Sequence, residues 1–378
     1  MTLAIAAFWV SASLMIYIYV GYPLLARVAA RFSARDVAKG KIHPTVTVVV
    51  TVYNEAKGIA AKLENLLALD YPRELLQVLV ASDASSDQTD DIVRSYATRG
   101  VSLLRVEGRV GKTACQNAAV VAASGDIIVF TDATTQIDRT SITEMVGCFA
   151  DPSVGCVAGR LIYVDAHESA TGSGGTAYWE YELSLRQAES RIGSLVGVSG
   201  CLYAVRKSAY RPISPDLISD FVIATVMRRQ GLRTVLEIRG ICREETLTKA
   251  RQELSMRVRV AIRSITALVR ERDVLNPLRH GAFAWQLWSH KVLRYASPLI
   301  WAGLLVASFA LSANLFYRLA LAAQLLLIAA GVIGWLTHAR GAMVLVKPYY
   351  FLLTNVASLM ALARYLRGER VVIWKTVR

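Results

Sequence analysis

The chain has 378 residues, with 43 lysines and arginines against 29 aspartates and glutamates, a formal charge of +14. Apolar residues make up 54% of it and the mean hydropathy is +0.38. This excludes a disordered polymer and points to a membrane protein before a nucleic-acid binder. Five scattered cysteines with no CxxC pair exclude a disulfide scaffold.

Acidic residues are absent before Asp36 and between Asp273 and Glu369. The chain therefore divides into membrane, soluble and membrane parts. Leu3 to Ala26 carries no charge, enough to span a hydrocarbon core of about 30 Å at about 1.5 Å per residue. No basic segment precedes the run, and Arg27, Arg31, Arg35, Lys39 and Lys41 follow it. That pattern reads as a retained helix over 1–27 rather than a signal peptide, with the next block in the cytoplasm.

The soluble block, 40–250, alternates strand and helix. Thr45–Tyr53 is rich in β-branched residues and predicts a strand buried on both faces. Ala56–Leu69 has helical periodicity and stops before Tyr71-Pro72. Strands follow at Gln77–Ser82, Val101–Val106 and Asp126–Thr131, with helices at Asp87–Thr98 and Lys112–Ala123 between them. Later come strands near Val154–Val164, Cys201–Val205 and Val235–Ile238, and helices near Tyr178–Arg191 and Leu217–Gln230. Alternation of this kind predicts an α/β fold: a mostly parallel sheet with helices on both faces.

The segment 251–292 is amphipathic. Val258, Ile262, Ile265 and Val269 fall on one helical stripe, and Arg259, Arg263 and Arg270 on another, as in an interfacial helix on an anionic leaflet. Apolar runs follow near 293–313, 316–337 and 342–366, then a basic tail, 367–378. Three full spans would place that tail outside, against the positive-inside tendency. A re-entrant or interfacial third segment would not.

Open α/β sheets bind ligands beyond the carboxyl ends of their strands. Tyr53, Asn54, Glu55, Asp83 and Asp132 stand at such ends, so three acids converge on one crevice. The first turn has no GxGxxG, which disfavours a dinucleotide fold. Arg109-x-Gly111-Lys112-Thr113 lacks the first glycine of a phosphate-binding P-loop.

At these positions the sequence resembles the inverting family 2 glycosyltransferases of GT-A fold, in their membrane-bound bacterial branch related to polysaccharide synthases. Four motifs in order carry the resemblance: Val50-Thr51-Val52-Tyr53-Asn54-Glu55, Asp83-Ala84-Ser85-Ser86-Asp87-Gln88-Thr89, Gly111-Lys112-Thr113-Ala114-Cys115-Gln116-Asn117, and the DxD element at Asp132-Ala133-Thr134. The resemblance implies that Tyr53, Glu55 and Asp83 line a nucleotide pocket, with Asp83 close to the base. Lys112 is implied near the diphosphate. Asp132 is implied at the ribose or at a Mg²⁺ or Mn²⁺ bridging the phosphates, where a hard cation would stabilise the leaving group.

Downstream, Ser199 to Arg206 resembles the family's acceptor-side strand. Ile218-Ser219-Asp220-Phe221 stands where the family has an acidic pair, which gives Asp220 the role of general base. It begins a helix after the Pro215–Ser219 loop, whereas Glu244 and Glu245 lie beyond the Val235–Ile238 strand. In Met256-Arg257-Val258-Arg259-Val260 only Arg259 matches the Gln-x-x-Arg-Trp element of processive synthases, and it is implied at the diphosphate. The missing Trp weighs against processive elongation. Thr134 and Ser219 each replace an acid, which implies a weakened metal site. They also raise an alternative, a catalytically weak scaffold subunit of a polysaccharide export complex. The implied partners are a nucleotide-sugar donor (UDP-linked), a polysaccharide or polyprenyl-linked acceptor and membrane lipids, with no nucleic acid. The implied location is the bacterial inner membrane, with the catalytic domain in the cytoplasm.

Overall fold

A computed structural model describes residues 1–164, 170–245, 250–337 and 343–373, with side chains left out at 170–178, 250 and 343. Residues 374–378 of the basic tail lie outside the described residues.

The β-branched run forms β1 (Val46–Val52), buried at every position. It lies parallel to β2 (Leu76–Asp83) on one side and to β4 (Ile127–Asp132) on the other. Strand β3 (Val101–Val106) extends the sheet beyond β2, again in parallel. Side chains alternate across the pleat. Val46, Val48 and Val50 meet Ile59, Leu63, Ile142 and Met145 on one face. Val49 meets Cys115, Ala119, Phe130 and Phe221 on the other. Each fully buried Val or Ile contributes roughly 1.5–3 kcal/mol, and a one-residue slip would exchange the two faces. The register is therefore fixed, and the carboxyl ends of β1, β2 and β4 open on one edge.

The second half of the sheet is mixed. Its strands are β7 (Leu202–Arg206), β6 (Val154–Val164), β8 (Arg233–Glu245) and the short β5 (Gln136–Ile137), and the whole order is β3-β2-β1-β4-β7-β6-β8-β5. β7 is antiparallel to both β4 and β6. β8 is much longer than the expected Val235–Ile238. Its pairing with β6 jumps from Ala158↔Leu236 to Arg160↔Ile241 and then continues to Val164↔Glu245. Gly159 and Gly240 make this bulge possible. A Cβ on Gly159 would lie 2.8 Å from Gly240 O, and one on Gly240 would lie 2.5 Å from Met145 Cγ. The bulge hid the second half of the strand from a periodicity reading, and it carries Glu244 back to the crevice.

Four helices are long and apolar enough to cross a membrane: Thr2–Phe32, Ala282–Ala310, Leu315–Leu336 and Val344–Leu366. The first two run antiparallel. Phe8 packs with Ala307 and Leu311, while the Tyr17 hydroxyl lies 2.7 Å from Ser289 Oγ. The third returns, with Gln324 Nε2 donating to Ser308 Oγ at 2.9 Å. Residues such as Leu326, 70% exposed, face outward from this bundle.

The fourth helix packs on the second and third as well as on the soluble domain: Asn355 Oδ1 accepts from Ser297 Oγ (2.8 Å), the Phe351 ring lies 5.0 Å from that of Trp301, and a Cβ on Gly331 would lie 3.0 Å from Pro348 O. Tyr350 OH donates to Glu253 Oε1 (2.9 Å), and Ala357 and Ala361 pack on Val258, Ala261 and Ile262. Beyond it the chain passes Gly111, where Val372 O lies 2.7 Å from the position a Cβ would take.

In the helix Ala250–Arg270, Val258, Ile262 and Ile265 of the apolar stripe pack under the last helix, while Val269 stays exposed. The arginine stripe turns toward the soluble domain, with Arg263 donating to Leu217 O (2.5 Å) and Thr113 Oγ1 (3.0 Å). Arg270 pairs with Asp216 at 3.0 Å.

Candidate active site

The crevice has two parts. The first is built on β1 and β2. Asp83 ends β2 fully buried and accepts from Val110 N (2.7 Å), Gly111 N (3.2 Å) and Arg109 Nη1 (2.8 Å). Arg109 lies over the Tyr53 ring with its guanidinium carbon 3.2 Å from the centroid. Asn54 takes a positive φ of 52° and accepts from Ser86 N (2.8 Å), while Glu55 N donates to Thr89 Oγ1 (2.8 Å). The two sequence motifs thus tie one loop to the other. Tyr53, Glu55 and Asp83 do come together, but Asp83 already serves the Arg109–Gly111 turn. A ligand there shares that carboxylate with Arg109.

The second part lies where four segments meet. Gly111 has φ 92° and ψ 159°, a conformation held almost only by glycine, and it turns the chain into the helix Lys112–Ala122. Lys112 pairs with Asp132 Oδ1. Asp220 enters from the first turn of the helix Ser219–Arg229. Gly200 leaves the space between them. A Cβ there would lie 3.1 Å from Asp220 Oδ2, 3.4 Å from Lys112 Nζ and 3.9 Å from Asp132 Oδ2.

Burial pushes the Asp220 carboxyl above the ordinary aspartate range, held back by the charges of Lys112, Arg263 and Lys291. A half-buried carboxylate of raised basicity is suited to take a proton. Burial works against the Lys112 ammonium, but Asp132 outweighs it and holds the lysine charged.

Arg259 sits half-buried one helical turn before Arg263, whose guanidinium reaches Thr113 beside Lys112. Sequence reasoning did not place Arg109, Arg263, Gly200 or Lys62 in the crevice, and it weighed Glu244 only as lying beyond the Val235–Ile238 strand. Arg263 was visible as an i+4 partner of Arg259. Lys62 was visible as a lone lysine on an apolar helix face. It is fully buried, donates to Thr131 Oγ1 (3.0 Å) and Thr135 O (2.6 Å), and is pushed down to about 8 by burial. Glu244 approaches Thr134, whose hydroxyl donates to its Oε1 at 3.1 Å.

Among the described residues, no group of three or more His, Cys, Asp or Glu side chains forms a metal cage. The donor set suits a hard cation that takes one or two carboxylates and fills its shell from diphosphate oxygens and water. Asp132 would be the residue to hold it.

A mostly parallel sheet that switches direction at β7 is the arrangement of the GT-A fold. Residues 47–213 match Glycosyl transferase family 2. An N-acetylglucosaminyltransferase of Rhizobium meliloti (strain 1021) is 29% identical over 215 residues, 50% of this chain and 49% of that one. The poly-beta-1,6-N-acetyl-D-glucosamine synthase of Staphylococcus aureus (strain COL) is 24% identical over 204 residues, 52% and 49% of the two chains. The chain spans about half the length of these curated relatives. A mannosyltransferase from Pyrobaculum calidifontis, solved with GDP-Man and Mn²⁺, superposes with a TM-score of 0.75 at 25% identity and covers 96% of this chain and 99% of its own.

Proposed function

We propose that the protein transfers a sugar with inversion from a nucleoside-diphosphate sugar, a UDP-sugar, to a membrane-associated polysaccharide or polyprenyl-linked saccharide. The reaction takes place at the cytoplasmic face of a bacterial inner membrane. The observation that carries the reading is the meeting of Lys112, Asp132 and Asp220 around Gly200. The acceptor hydroxyl gives its proton to Asp220 while its oxygen attacks the anomeric carbon. The bond from that carbon to the diphosphate oxygen breaks, and a single displacement inverts the configuration. Lys112 and Arg259 counter the charge that develops on the diphosphate. A divalent cation held at Asp132 would add Lewis-acid stabilisation of the same charge.

Tyr53, Glu55 and Asp83 form the nucleotide end of the pocket. The names of the relatives, N-acetylglucosaminyltransferase and poly-beta-1,6-N-acetyl-D-glucosamine synthase, support an N-acetylglucosamine donor. The GDP-Man complex of the archaeal mannosyltransferase makes GDP-mannose the competitor to test. Purified protein with Mn²⁺ should release nucleotide from UDP-N-acetylglucosamine faster than from GDP-mannose, and excess EDTA should suppress that release. Absence of release from every nucleotide sugar would remove the reading.

A further inference from the structure

An Asp-x-Asp turn offers two carboxylates, whereas Asp132-Ala133-Thr134 offers one. The structure brings another to the same place. Thr134 Oγ1 donates to Glu244 Oε1 at 3.1 Å, and Cys201 Sγ donates to Glu244 Oε2 at 3.3 Å. The Thr134 hydroxyl thus carries, through a hydrogen bond, the acid that its own position lacks. Glu244 reaches it because the bulge at Gly159 and Gly240 realigns β8, after which Tyr163↔Glu244 pair and Gln136↔Arg243 pair on the other side.

Behind the turn, Lys62 Nζ donates to Thr131 Oγ1 (3.0 Å) and Thr135 O (2.6 Å), on either side of Asp132-Ala133-Thr134. Two carboxylates plus diphosphate oxygens make a common shell for a small hard cation.

We propose that Glu244 is the second carboxylate of the divalent-cation site, acting with Asp132 and supplied by β8 instead of by the turn itself. The inference rests on the glycosyltransferase reading above. It makes Thr134 a positioning residue, whose hydroxyl orients Glu244.

The test is Mn²⁺ binding to the full-length protein in detergent, followed by loss of the free-ion electron paramagnetic resonance signal, with and without UDP. Wild type should bind Mn²⁺ more tightly when UDP is present. Glu244→Gln should weaken Mn²⁺ binding to the UDP complex about tenfold or more, with UDP affinity in EDTA unchanged as the control for folding. Thr134→Asp in the Glu244→Gln background should recover most of the loss. Glu245→Gln, exposed on the opposite face of the strand, should bind as wild type. Should Glu244→Gln fail the folding control, Thr134→Ala carries the same expectation at smaller size. Wild-type Mn²⁺ affinity in Glu244→Gln overturns the proposal, and so does an equal loss in Glu245→Gln. A wild-type protein that binds UDP but no Mn²⁺ overturns the cation site and leaves the transferase reading standing. One that binds neither overturns both.

Discussion

The parallel half of the sheet, β3-β2-β1-β4, and the mixed half, β7-β6-β8-β5, position their candidate site side chains differently. In the parallel half each group follows its strand directly: Tyr53 after β1, Asp83 ending β2, Asp132 ending β4. Hydrogen bonds between neighbouring loops then fix them, as Asn54 with Ser86 and Asp83 with Gly111 show. In the mixed half the groups come from far apart. Asp220 starts a helix, Glu244 follows a bulge, and Arg263 reaches in from the helix before the membrane. The first half has the makings of a rigid donor platform. The second is an assembly that depends on the membrane segments being in place, because the last helix covers Val258, Ile262 and Ile265 behind Arg263.

Variants can break this contrast, and the largest effect belongs to the mixed half. Asp220→Asn keeps the shape and removes the proton acceptor, so kcat should fall about 10²–10⁴-fold while UDP affinity by titration calorimetry stays near wild type. The pH profile sharpens the point. Only the ionised carboxylate can take the proton, and burial raises its pKa. The acid limb of kcat should therefore lie above that of an ordinary aspartate at about 3.9. Lys112→Met removes a charge that lowers this pKa, so the limb should move further up.

In the parallel half, Lys112→Met should also cost about 10²–10³ in kcat, the usual loss when one stabiliser of developing charge is removed. Asp83→Ala should act on binding rather than on turnover. It strips Val110 N, Gly111 N and Arg109 of their acceptor and should weaken UDP binding by about 1.5–3 kcal/mol, measured by calorimetry. The smallest effect is conformational. Gly111→Ala should lower stability by about 1–3 kcal/mol, because its φ and ψ suit only glycine. A thermal melt in detergent would show it.

The same contrast explains what could be read in advance. The strands of the parallel half are short, buried and bounded by turns, so β-branched runs such as Val46–Val52 announce them. Their functional residues sit within a few positions of each strand end. Asp220 was named through the resemblance, and its place as an acid at a helix start agrees with the structure. The place of Glu244 was not legible, since it depends on two glycines in different strands that face each other across a bulge. Neither the inward direction of Arg263 nor the closeness of Val372 to Gly111 could be read, because the first depends on which way a helix turns and the second on the path of the chain beyond the membrane helices. A basic stripe at helical spacing looks the same whether it faces lipid or protein.

The central claim is that the two halves meet at one transfer centre, with Lys112 from one and Asp220 from the other acting on the same displacement. A double-mutant cycle on kcat with Lys112→Met and Asp220→Asn tests it most directly. Groups that act as a unit give strongly non-additive losses. The double variant should therefore be little slower than the slower single variant. Losses that multiply, so that the double variant falls by the product of the two single effects, would contradict a shared centre.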